Sequence, residues 1–557
     1  MRAPSPRVVA LAVALMLGVQ ACSDQPTVTT PGRPSDTGDP LRPCTTTILQ
    51  PAADPATAPS VMALASGASA QVSASIAQAT FRCARDVVVA PQADPVLAAL
   101  GGRLAAHLGA PLLLVGDRGA GATEYEVDRL GPERLWQLGV LGVTVPEFTE
   151  IITVEGDVGA VADRVNREIG ARGDLVPLPS DPNGAARALA EAIGQGRGLA
   201  PRAEGDPAGD EILSAGPAVS GWVWLVDHDD AAVHMAAIAA AANTDGLMAT
   251  VEGFDLRANP EAGRLLRLSA GAITVHTVGV TEDARWQLPI IMSGQELPGG
   301  GYLLEDRRLV ALYGNPLTSQ LGILGRQSLE ETVGVAREYA APYGADGVMV
   351  IPTFEIIATV AAADIGADGN YSNEMTIELI RPWVETARRE GFYVILDLQS
   401  GRSHFLDQAR LYEELLLEPH VGLALDPEWR LAPDQFHLRQ VGRVEAAEVN
   451  EVSEWLAALV REHELPQKLF VLHQFRFTML QNRELIEARP ELWTVIQMDG
   501  QGLISDKYET WNALTAGWED QPWDWGWKNF TIEDDPGPIP PSEVLELVPT
   551  PMLVSYQ

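Results

Sequence analysis

Eight strand-like runs divide the last part of this chain, and polar or acidic residues sit where most of them stop. They are RLVALYGN (308–315), GVMVIPTFE (347–355), FYVILDLQ (392–399), VGLALDPEW (421–429), LFVLHQF (469–475), WTVIQMDG (493–500), WGWKNF (525–530) and PMLVSYQ (551–557). Amphipathic stretches such as 328–341 and 446–463 lie between them. A strand that alternates with a helix returns to the same edge of its sheet, so the strands pair in parallel. Eight such units in about 250 residues match a closed (β/α)8 TIM barrel, which places working residues at the carboxyl ends of its strands. Those ends offer Asn315, Glu355, Asp397, Gln399, Asp426, Glu428, His473, Gln474, Asp499, Lys528, Asn529 and Gln557.

A chain of 557 residues has room for more than one domain. Its net charge is −36, from 75 acids and 39 bases. That balance argues against nucleic acid and against an anionic membrane surface as partners, since both would be repelled. No sequence feature calls for a cofactor. No glycine-rich phosphate loop follows a strand, and no serine or cysteine nucleophile elbow occurs.

At the amino terminus, Arg2 and Arg7 flank the start of an apolar run, residues 8–21, that ends at Cys22. A basic start, a short apolar stretch and small residues at the cut site describe an export signal over 1–22. The segment VQAC (19–22) resembles a bacterial lipoprotein box, which implies lipidation of Cys22 and a membrane anchor. A plain signal peptide or an uncleaved anchor is the alternative. Residues 23–43 are rich in Pro, Thr, Ser, Gly and Asp, as expected of a disordered tether. Cys44 and Cys83 suit a disulfide in an exported chain, and two free buried thiols are the other reading.

Between tether and barrel the chain repeats itself. Residues 86–117 and 222–253 each read as an apolar strand, an acidic turn, an Ala-rich helix and a second strand. A further helix and strand follow in each copy, up to 139 and 279. The expected class is therefore α/β: two small three-layer units, 44–200 and 201–304, before a barrel over 305–557. HLGAPLLLVGD (107–117) and LGPERLWQLGV (130–140) in the first copy resemble the cell-wall-binding repeat type 2 family. That resemblance implies attachment to wall polymer outside the cytoplasmic membrane. The DHDD run at 227–230 reads as a helix cap rather than a metal site, and no metal is expected elsewhere.

The fourth barrel run carries the sharpest chemical signal. Asp426 and Glu428 are two apart, and on an extended strand such positions face the same side. Two close carboxylates raise one pKa, and burial raises it further, which suits a general acid. Glycoside hydrolysis needs such an acid and a second carboxylate. The Asp-x-Glu on strand four resembles the active strand of chitinase-like glycosidases and Chalaropsis-type lysozymes. By that resemblance Glu428 is the proton donor and Asp426 its electrostatic partner. Asp397 and Asp499 are the further catalytic candidates. Glu355, Gln399, His473, Gln474, Lys528 and Asn529 are candidates for holding substrate. Trp429, and Trp527 from a group of five tryptophans over 511–527, offer flat faces for sugar rings. The expectation is an exported lipoprotein whose barrel cuts a wall polymer or other polysaccharide; the alternative is a surface protein that binds glycan without cutting it.

Overall fold

The computed structural model describes residues 44–49, 60–64, 67–116, 120–201, 221–251, 255–259, 263, 266, 274–279, 283–518 and 521–557. The expected export signal, Cys22 and the tether lie outside the described residues. Among the described residues no helix is long and apolar enough to cross a membrane.

Eight parallel strands close into a barrel. They are β1 (Arg307–Gly314), β2 (Met349–Ala361), β3 (Tyr393–Leu398), β4 (Val421–Leu425), β5 (Lys468–His473), β6 (Leu492–Met498), β7 (Asp524–Asn529) and β8 (Leu553–Tyr556). Each pairs with the next, and β1 pairs with both β2 and β8, which closes the ring. Such strands are covered on both faces, by the barrel interior and by the outer helices, so they read as continuous apolar runs. Local signals set the outer helices. Ser328 and Glu331 form a reciprocal capping box at the start of Leu329–Ala340. Gly391, at φ 73°, ends Ile377–Glu390 in the left-handed conformation that glycine tolerates. β2 runs six residues beyond Glu355 and pairs antiparallel with Ser372–Glu374, so its tip rises above the rim.

Two four-stranded parallel sheets precede the barrel. One has the order Leu112–Val115, Asp86–Pro91, Arg134–Leu138, Glu150–Val154, and the other Leu247–Thr250, Trp222–Val226, Thr274–Val278, Ser60–Leu64. The repeat is thus a repeat of topology, with one exchange. The fourth strand of the second sheet comes from upstream of the first. Helices Pro95–Leu108, Pro182–Gly194 and Ala231–Asn243 pack together, and Leu100, Leu104, Leu189, Met235 and Ile238 belong to their common core. The opposite face of the second sheet, with Val223, Leu225 and Val275, continues through Leu288 and Ile291 into the helix layer of the barrel. Asp230 caps the helix at Ala231 by accepting from the Ala232 amide. A disulfide joins Cys44 and Cys83, with Cα atoms 6.3 Å apart.

Candidate active site at the barrel mouth

Strand alternation fills the barrel in layers. Lower inward positions form an apolar plug that includes Leu309, Ala311, Ile351, Ile395, Ala424, Val471 and Val495. Further along the same faces, the chemistry changes. Tyr313, Glu355, Asp397, His473, Gln497, Lys528 and Ser555 follow in the same alternation, and all are buried. The fold therefore gathers a ring of polar side chains directly above a hydrophobic floor.

His473 organises this ring. Its Nδ1 lies 3.0 Å from Asp499 Oδ2 and its Nε2 lies 3.1 Å from Glu355 Oε1. An imidazolium donates to both carboxylates at once, which a neutral ring cannot do. Burial alone would lower the His473 pKa, but Asp397, Asp499 and Glu355 outweigh it and hold the group well above its ordinary value. Tyr313 donates its hydroxyl to Asp397 Oδ2 at 2.8 Å and accepts from Gln399 Nε2 at 3.3 Å. The Lys528 ammonium sits over the Tyr313 ring, 3.4 Å from its centroid. Gln497 donates to Ser555 at 2.5 Å.

Asp426 and Glu428 reach the mouth by a different route from the one expected. β4 stops at Leu425, and Pro427–Trp429 is a single 3-10 turn. An extended strand therefore does not set their relation. The Asp426 side chain caps the turn, accepting from the Glu428 amide at 3.1 Å, and Pro427 supplies the fixed φ of the first turn position. Asp426 is buried, whereas Glu428 is part-exposed at the rim. Gly442 supports the turn from behind. Its amide donates to Glu428 O at 2.6 Å, and a Cβ there would overlap the carbonyl oxygens of Pro427, Glu428 and Arg430.

These acids titrate unusually. Burial pushes Glu428 up to about 7, Asp499 adding repulsion while Lys528 opposes it. Burial raises Asp397 to about 6 despite the attraction of His473. Asp426 is held well above the carboxylate range by burial, against the pull of His473 and with Asp397, Asp499 and Glu428 reinforcing the shift. Among the described residues, no ion pair joins Arg or Lys to Glu355, Asp397, Asp426, Glu428 or Asp499. A part-exposed carboxyl that holds its proton near neutrality can deliver it to a leaving oxygen.

Three sequence candidates are placed elsewhere. Trp527 is fully buried in the layer between β7 and helix Ile504–Thr515, 5.6 Å from Trp511, and its indole donates to Asn529 at 2.9 Å. The two residues face the helices because Lys528 between them faces the barrel. Gln474 accepts from Arg483 at 2.6 Å and so belongs to the loop after β5. Trp429 stays at the rim, stacked on His437 at 5.1 Å. Next to it, Tyr371, Phe436, His437 and Arg439 help to line a cavity of about 590 Å³, and Phe436 is 53% exposed. Tyr313, Gln497 and Ser555 belong to this polar ring but are not among the candidates read from the sequence. Counting inward positions back from each strand end would have found them.

The chain matches no family model and no curated protein. Solved structures with related backbones include two proteins from Clostridium difficile. Cwp6 is 12% identical, over 77% of this chain and 66% of that one, at TM-score 0.31. Cwp8 is 13% identical, over 42% and 52%, at TM-score 0.31. An HpcH/HpaI aldolase from Desulfitobacterium hafniense DCB-2 is 12% identical, over 45% and 87%, at TM-score 0.24. The chain thus spans less than two thirds of either Clostridium protein, and scores this low carry no argument about activity.

Proposed function

We propose that this is an exported, lipid-anchored surface protein whose barrel hydrolyses a glycosidic bond in a wall polymer or another polysaccharide. The export and anchor reading rests on the residues around Cys22, and wall attachment on the resemblance at 107–140. The hydrolytic reading rests on one observation. Glu428 is a rim carboxyl raised to about 7, set among buried carboxylates that form no ion pair with Arg or Lys among the described residues.

In this reading Glu428 gives its proton to the glycosidic oxygen as the bond to the anomeric carbon breaks. A neighbouring carboxylate, Asp499, stabilises the positive charge that develops on the sugar. Water then adds to the anomeric carbon, and its proton returns to a carboxylate. In this reading Lys528 and Gln399 bind hydroxyls from the polar ring above the apolar plug, while Trp429 and Phe436 offer faces to sugar rings at the rim.

The test is release of reducing ends from a panel of wall polymers and plant or fungal polysaccharides by the full chain. Glu428→Gln keeps the shape and removes the acid. Activity should fall by roughly a hundredfold or more. Unchanged turnover in that variant removes Glu428 from the chemistry.

A further inference from the structure

We infer that the barrel mouth binds one first-row divalent metal ion through Asp397, Asp426 and His473. These three residues stand at the ends of three consecutive strands, β3, β4 and β5. One ligand atom from each lies within 4.8 Å of the others. Metal–ligand bonds of about 2.0–2.3 Å place ligands on opposite sides of an ion about 4–4.6 Å apart. One ion therefore fits this span with only small side-chain movement.

A second observation points the same way. Asp397 is fully buried, and among the described residues its Oδ1 has no hydrogen-bond partner. Glu355 Oε2 and Asp499 Oδ1 are likewise buried without one. Buried acceptors are normally satisfied, and an unmet carboxylate oxygen is strongly unfavourable in a low-dielectric site. One cation would answer several of these oxygens together, where a single proton answers one.

The surroundings of His473 fit a ligand role. A metal-binding imidazole commonly hands its other ring nitrogen to a carboxylate, which fixes the tautomer and the ring plane. Asp499 stands in that position, 3.0 Å from Nδ1. Nε2 then faces the ion, which takes the place of the proton shared there with Glu355. Carboxylates with one imidazole suit Mn²⁺ or Zn²⁺ better than Ca²⁺, which prefers an all-oxygen shell. Such an ion would act as a Lewis acid toward an oxygen of whatever molecule enters the mouth.

This goes beyond the hydrolase reading and is tested without any glycan, so failure of either leaves the other standing. The full chain, stripped with a chelator, is titrated with MnCl₂ while free Mn²⁺ is followed by electron paramagnetic resonance. Uptake of one equivalent, competed by ZnCl₂ and weakened about tenfold or more in both Asp397→Asn and Asp426→Asn, is expected. The wild-type titration needs no variant, and circular dichroism checks that the variants fold. No saturable uptake up to about 1 mM by the wild type, a ceiling that spans even weak protein cation sites, overturns the assignment. Equal uptake by wild type and both variants overturns it as well.

Discussion

Replacing Asp397 by Asn should stabilise the protein, and should do so more at alkaline than at acid pH. The side chain is fully buried, and burial raises its pKa from 3.8 to about 6. A carboxyl whose folded pKa lies above its unfolded value binds more protons in the folded state between those values. Its contribution is complete below pH 3.8 and is lost as pH rises through about 6. Two pKa units correspond to about 3 kcal/mol, most of it lost between roughly pH 4 and 7. Asn has nearly the same shape, can still accept from Tyr313 and carries no charge to desolvate. An Asn amide leaves a buried N–H to be satisfied, so the net gain should be roughly 1–2 kcal/mol. That gain amounts to roughly 2–8 °C in melting temperature for a domain of this size. The assay is calorimetric melting of wild type and variant in chelator at pH 4 and pH 8. The difference should be small at pH 4 and largest at pH 8. A variant that melts below wild type at pH 8, or a gap that does not change with pH, refutes the reasoning.

Other consequences can be checked separately. With Glu428 acting as the acid, hydrolysis should fall as pH rises through about 7, and a pH–rate profile flat to pH 9 would contradict that role. Gly442→Ala should displace the turn that carries Glu428 and lower kcat by about tenfold or more with a smaller change in KM, as seen in steady-state kinetics. Replacing Cys44 and Cys83 with Ala opens a loop of sequence separation 39 and should reduce stability by about 4 kcal/mol on a chain-entropy basis. Proteolysis of the amino-terminal α/β region under native conditions should quicken accordingly.

The barrel was readable because its strands are covered on both faces. Continuous apolar runs that end in polar residues mark such strands, and β1, β3 and β5 follow the expected limits within a residue or two. The polar ring of the candidate site was readable where a residue continued a strand's inward alternation, as with Glu355, Asp397, His473 and Lys528. The candidate site was misread where the strand ended early. Pro427 belongs to a turn capped by Asp426, so counting by twos beyond Leu425 gave a plausible pairing from the wrong geometry. Trp527 was misassigned by composition, although the position of Lys528 one residue on already fixed its direction. Tyr313 escaped notice because its partner Asp397 is 84 residues away in sequence, and only ring closure brings them together. Nothing in residues 60–64 announced that they would join a sheet whose other strands begin at 222.

That late-joining strand has a practical meaning for anyone dissecting the molecule. Expressed alone from residue 201 onward, the second sheet would lack its flanking neighbour and present Thr274–Val278 as a bare row of amides and carbonyls. Material cut at that point should self-associate through the open side. Material that keeps 44–557 together should stay dispersed, because the chain's own upstream segment shields that margin.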